Sequence, residues 1–141
     1  MEKFKKTVVV EIPKNTKEKF EFCFTTNGFV QDRVIDVEYP ANYGFIPNTI
    51  AEDGDPSDVF IFSPVAYKTG TVLEVVVFGI IHGTDDGIND HKLLSFPSNS
   101  RVEEVSRTSI DQVVDFLNSY KPGFKVTGIY GVEKAYEYCN S

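Results

Sequence analysis

Apolar and polar positions in the first half of the chain make a strand-rich pattern, in β-branched runs and in one stretch that alternates with a period of two. The β-branched run Thr7-Val8-Val9-Val10-Glu11-Ile12 predicts a strand that ends at Pro13. Lys19-Phe20-Glu21-Phe22-Cys23-Phe24 alternates strictly. The cluster Thr25-Thr26-Asn27-Gly28 then predicts a hairpin turn into Phe29-Val30 and a strand around Arg33-Val34-Ile35. Ser57 to Phe62 and Thr71 to Ile81 predict two further strands, parted by a loop carrying Pro64 and Gly70. Lys92 to Phe96 predicts another short one.

The period changes only late. Ile110, Val113, Val114 and Leu117 fall at i, i+3, i+4 and i+7, one face of a helix. Ser109 and Gln112 stand at capping-box spacing at its start, and Pro122-Gly123 stops it. A second short helix is predicted from Val132 to about Tyr138. Neither a repeat nor a low-complexity tract nor a linker interrupts the pattern, so residues 1–141 are expected to form a single domain. Several short strands with few helices favour a closed or partly closed β-barrel over a doubly wound sheet.

Composition narrows the function classes. The 141 residues are 41% hydrophobic, and a chain of this length buries enough surface to fold without a disulfide staple. The formal charge of −7 argues against sequence-independent nucleic-acid binding, which depends on neutralising phosphates. An anionic ligand then requires a local basic pocket or bound cations. The longest apolar stretch, Val72 to Ile81, is broken by Glu74 and falls short of the roughly 20 residues a membrane helix needs. The basic start Met1-Glu2-Lys3-Phe4-Lys5-Lys6 leads into no signal-peptide core, because the valine run stops at Glu11 and Pro13. Cys23 and Cys139 are far apart and make no metal or redox motif, which predicts free thiols and a cytoplasmic location.

The chemistry is concentrated in Glu52-Asp53-Gly54-Asp55-Pro56-Ser57-Asp58, a turn with three aspartates that feeds a hydrophobic strand. A solvated acidic turn is the bland reading. An EF-hand loop is a poor fit: counted from Asp53, its required glycine and glutamate positions hold Asp58 and Pro64. A second acidic group follows in Thr84-Asp85-Asp86-Gly87-Ile88-Asn89-Asp90-His91-Lys92. Loops at one rim of a barrel can bring these groups into one cleft with Glu11. Close carboxylates repel unless protonated or bridged by cations, and oxygen-only ligands suit Mg²⁺ or Mn²⁺. Lys19, Arg33, Lys92 and Lys121, beside Tyr43 and Tyr120, read singly as surface groups. Around a carboxylate floor they would form a wall of donors for phosphate oxygens.

These residues together resemble the family I soluble inorganic pyrophosphatases, the magnesium-dependent type. Asp53-Gly54-Asp55-Pro56-Ser57-Asp58 is similar to the family's DxDPxD signature. Val9 to Pro13, Lys19 to Glu21, Asp32-Arg33, Tyr39 to Ile46, Asp85 with Asp90-His91-Lys92, and Tyr120-Lys121 follow in the family's order. The resemblance implies an α+β, mainly β fold: a five-stranded, OB-like closed barrel with two flanking C-terminal helices. It implies an inorganic diphosphatase, a hydrolase of phosphate metabolism that takes magnesium pyrophosphate as substrate and several Mg²⁺ ions per active site, with Mn²⁺ as a substitute. Asp55 would be the general base. Glu11, Asp53, Asp58, Asp85 and Asp90 would hold the metals. Lys19, Arg33, Tyr43, Lys92, Tyr120 and Lys121 would bind the phosphate groups, with Glu21 and Asp86 behind them. Bacterial relatives lead to the expectation of a homo-oligomer, a hexamer.

The chain departs from the family pattern at Ser57, where the signature usually has a bulky apolar residue, and in a shorter stretch between Lys92 and Tyr120. Asp115 and Ser119 stand where some bacterial members have histidines at a subunit contact. His82 and His91 match no catalytic position and read as structural or solvent-facing. Two other readings compete. A catalytically silent barrel binding a metal-phosphate ligand or a protein would have lost the base or its carboxylates, which are all here. An oligonucleotide-binding barrel would need a basic groove.

Overall fold

A computed structural model describes residues 3–16, 18–23, 28–34, 38–47, 57–102 and 105–140, with the backbone path alone at 18–23 and 30–34. Nine strands and two helices lie among the described residues: β1 (Lys5–Ile12), β2 (Glu18–Cys23), β3 (Gly28–Val34), β4 (Asn42–Phe45), β5 (Asp58–Ile61), β6 (Val72–Asp85), β7 (Ile88–Asn89), β8 (Lys92–Pro97), α1 (Arg107–Tyr120), β9 (Phe124–Gly131) and α2 (Val132–Cys139). The pairings run β1–β4–β5–β8–β6 and return to β1, a ring of five strands. β9 and β7 extend the ring from β6, and β2 pairs with β3 as a separate hairpin. This is the expected mainly β, OB-like architecture, with both helices in the C-terminal part.

Burial follows the alternation that the sequence displays. Val8, Val10 and Ile12 are buried along β1, while Lys5 and Thr7 are exposed. After Asp58, β5 is apolar because both its faces are covered. Val59 and Ile61 join one core cluster with Val8, Val75 and Leu93, whereas Phe60 joins the other with Tyr43, Leu94 and Phe124. α1 closes that second cluster with Val113, Phe116 and Leu117. β1 and β4 approach so closely at Gly44 that a Cβ there would run into the Val9 carbonyl oxygen.

Two features differ from the sequence reading. α1 begins at Arg107, and its N-cap is Ser106, whose hydroxyl accepts from the Ser109 amide at 3.0 Å. Ser109 is thus the capped residue inside the first turn, not the cap. Periodicity marks neither β4 nor β9. The hairpin turn expected at Thr25 to Asn27 lies outside the described residues. No helix of the described residues is long and apolar enough to cross a membrane.

Candidate active site

The ring places chemistry where strands begin. β5 and β8 run parallel, with Asp58 beside Lys92 in register, so two strand-initial residues of opposite charge are neighbours. β4 runs antiparallel to β5 and sets Tyr43 against Phe60. Lys92 is 3% exposed. Its ammonium donates to Asp58 Oδ2 at 2.7 Å, Tyr43 Oη at 2.8 Å and Asp90 Oδ1 at 3.0 Å. Three acceptors thereby match the three donors of the group. The rings of Tyr43 and Phe124 lie 5.2 Å and 5.9 Å from the same ammonium, within cation–π range.

The electrostatics follow from burial and these partners. Burial pulls the Lys92 pKa down, but Asp58 and Asp90 outweigh it and hold the ammonium above the ordinary lysine range. Burial, reinforced by the Asp58 carboxylate, pushes the Tyr43 phenol well above its usual value of 10.0, so Tyr43 remains a neutral hydroxyl. On the far side, Lys121 follows the last residue of α1 and donates to Asp85 Oδ2 at 3.1 Å. Partial burial lowers its pKa, while the Tyr120 phenol and Asp85 raise it further, for a net rise. Tyr120 stacks on Phe116 with ring centres 4.5 Å apart.

The acidic hairpin is joined to the Lys121 turn. Asp86 and Gly87 have φ of 50° and 84°, the left-handed pair of a type I′ turn between β6 and β7. The Asp86 amide donates to the Gly123 carbonyl at 3.0 Å, and Asp86 Oδ1 fills the space a Cβ on Gly123 would need. Asp85 and Lys121 are therefore fixed relative to each other by the turns that carry them. Behind Tyr43, the buried Asn42 side chain accepts from the amides of Lys14 and Tyr67, each at 3.0 Å, and donates to the Val65 carbonyl at 2.9 Å. It ties the end of β1 to the β5–β6 loop.

Of the residues singled out from sequence, Tyr43, Asp58, Asp90 and Lys92 meet in one cluster, and Asp85 meets Lys121 in a second. Glu11 stands next to last in β1, where its carbonyl accepts from Thr69 Oγ1 at 2.8 Å. Asp86 is exposed on its turn. Asp53 and Asp55 lie outside the described residues, and so do the side chains of Lys19, Glu21 and Arg33, whose backbones lie on β2 and β3. Among the described residues, no three carboxylate, imidazole or thiol groups are close enough to hold one metal ion. Phe124, Gly123 and Asn42 belong to the site's support and were not singled out. Asn42, a polar residue inside the Tyr39 to Ile46 stretch, was the one with a visible signal.

An OB-like β-ring with carboxylates and ammonium groups interleaved at one end, and oxygen as the acidic donor, suits a charged small ligand. The profile of the inorganic pyrophosphatase family matches residues 8–140. The inorganic pyrophosphatase of Mycoplasma pneumoniae is 35% identical, over 99% of this chain and 84% of that protein. That of Helicobacter pylori strain J99 is 34% identical over 81% of this chain and 72% of the other. The crystal structure of an inorganic pyrophosphatase from Neisseria gonorrhoeae superposes with a TM-score of 0.89 at 31% identity, covering 95% of this chain and 86% of that one. The chain belongs to the inorganic pyrophosphatase family.

Proposed function

We infer that this chain hydrolyses inorganic pyrophosphate to two orthophosphates, using Mg²⁺. The observation that carries the reading is the Lys92 cluster: two carboxylates, Asp58 and Asp90, drawn onto one buried cation beside a neutral phenol. Carboxylates that already converge on a positive centre suit a hard divalent cation, and the donor set of Glu11, Asp53, Asp58, Asp85 and Asp90 offers oxygen alone. Those five residues would hold the ions, with Mn²⁺ an acceptable substitute. Bound there, divalent cations would lower the pKa of a water molecule and offset the charge of the substrate.

The protein's own groups supply the rest. Asp55 orients the attacking water and takes its proton. Lys19, Arg33, Tyr43, Lys92, Tyr120 and Lys121 bind the two phosphate groups, and the cationic members balance the charge that leaves with the departing one. Lys92 pairs with Asp58 and Asp90, and Lys121 with Asp85. Cation binding at those carboxylates would compete for the same oxygens and leave the ammonium groups for phosphate. Glu21 and Asp86 support the ligands from behind. The same reading places the chain in the cytoplasm and expects a homo-oligomer, a hexamer, which a sizing measurement checks.

The decisive experiment is phosphate release from pyrophosphate with excess Mg²⁺. Release should stop on chelation and return with the metal. Absence of release between pH 7 and 9 would remove the enzymatic reading. Asp55→Asn should then lower turnover by about 10²-fold or more while leaving metal affinity nearly unchanged. An equal loss of both would make Asp55 a ligand and not the base.

A further inference from the structure

We propose that His91 is a positioning residue for the acidic hairpin, its imidazole nitrogen standing in for a strand partner at the base of the turn that carries Asp85 and Asp90. The inference rests on the metal-binding role given to those aspartates above. Pairing of Ile81 with Lys92 and of Thr84 with Asn89 sets His82 opposite His91 and Gly83 opposite Asp90. In that interval the regular ladder gives way to two specific bonds. The Asp90 amide donates to the Gly83 carbonyl at 2.9 Å, and the Gly83 amide donates to His91 Nδ1 at 3.1 Å.

The imidazole therefore satisfies a main-chain donor two residues before Asp85, from a position between Asp90 and Lys92. It is well placed to do so. The His82 and His91 rings stack at 4.1 Å and 16°, with Tyr130 at 4.6 Å from His82 and Tyr138 at 5.7 Å from His91. Beyond this clamp the β7 arm pairs with β6 only at Thr84–Asn89 and Asp85–Ile88, whereas the β6 arm is also paired with β9 as far as Asp85 and its turn is tied to Gly123 by the Asp86 amide; Asp86 to Asn89 are exposed. The β7 arm, with so short a ladder, depends on its base for the direction in which Asp90 leaves it. Direction matters here because Asp85 leaves one arm of the hairpin toward Lys121 and Asp90 leaves the other toward Lys92.

Two substitutions separate the bond from the ring. In His91→Phe the stack and most of the volume remain but the acceptor is lost. In His91→Asn the ring is lost, while the side-chain oxygen, attached like Nδ1 to Cγ, can still accept from Gly83. Mn²⁺ binding, read from the free ion by electron paramagnetic resonance, and thermal unfolding are measured on the full chain. The expected result is a metal dissociation constant raised about tenfold in His91→Phe and restored to within about twofold of the parent in His91→Asn, whatever happens to the melting temperature. Affinity that follows the ring and the melting temperature, or that changes in neither variant, overturns the proposal. A parent chain that binds no Mn²⁺ overturns it together with its premise. One that binds Mn²⁺ yet releases no phosphate overturns the activity alone.

Discussion

Lys92 joins the charge of the site to the stability of the fold. Its side chain is 4% exposed, and the Asp58 and Asp90 side chains it holds are 18% and 11% exposed. Lys92→Met keeps length and apolar contact but removes the ammonium that the two part-buried carboxylates share. Breaking a buried pair in this way costs about 3–5 kcal/mol, so urea unfolding in chelator should show a loss of that size. Adding Mg²⁺ should narrow the gap, since a cation shared by Asp58 and Asp90 replaces the missing charge. Parent and variant of equal stability in chelator would mean the ammonium does not hold the carboxylates together. Asp58 and Lys92 were legible because charge at the start of an apolar strand is conspicuous, Asp90 because it stands in an acidic run, and Tyr43 through the family resemblance. Phe124 and Gly123 were not. One is an ordinary core aromatic until Lys92 lies against it, and the other acts only through the side chain missing beside Asp86.

At the scale of elements, β-branched composition marks β1, whose two faces meet different surroundings. β4 escaped because all four of its residues are buried and two are asparagine and glycine, which strands disfavour. β9 escaped for a different reason. His82 pairs with Gly128 and Gly83 with Val126, so Thr127 is left without a partner in β6, and this bulge breaks the period of two between Phe124–Val126 and the residues that follow. The helix start was misplaced by one turn because Ser106 and Ser109 are both plausible caps, their hydroxyls 2.8 Å apart, and spacing to Gln112 favoured the wrong one. The two serines should separate experimentally. Ser106→Ala removes the acceptor of the Ser109 amide and should cost about 1 kcal/mol, whereas Ser109→Ala keeps that amide and should cost only a few tenths. The reverse order in thermal unfolding would restore Ser109 as the cap.

For the whole molecule, the ion pairs of Lys92 and Lys121 carry a consequence for metal removal. Three of the five carboxylates assigned to Mg²⁺, Asp58, Asp85 and Asp90, have ammonium partners in the fold. The chain should therefore stay folded in chelator while losing activity, unlike small domains whose folding depends on their metal. Mg²⁺ should then add stability by mass action, about 2.7 kcal/mol at a hundredfold excess over the dissociation constant of one site. In a domain of this size that corresponds to a rise of roughly 5–15 °C in melting temperature. The net charge of −7 offers a competing explanation, since any salt relieves self-repulsion. Sodium chloride at matched ionic strength distinguishes the two: screening would raise the melting temperature equally in both salts, whereas seated ions give a shift that saturates with Mg²⁺ and is absent with Na⁺. Lys92→Met sharpens the comparison, because its Mg²⁺ shift should exceed the parent's while its response to sodium chloride stays small. A variant that responds alike to both salts would place the cations on the diffuse surface field and not at Asp58 and Asp90.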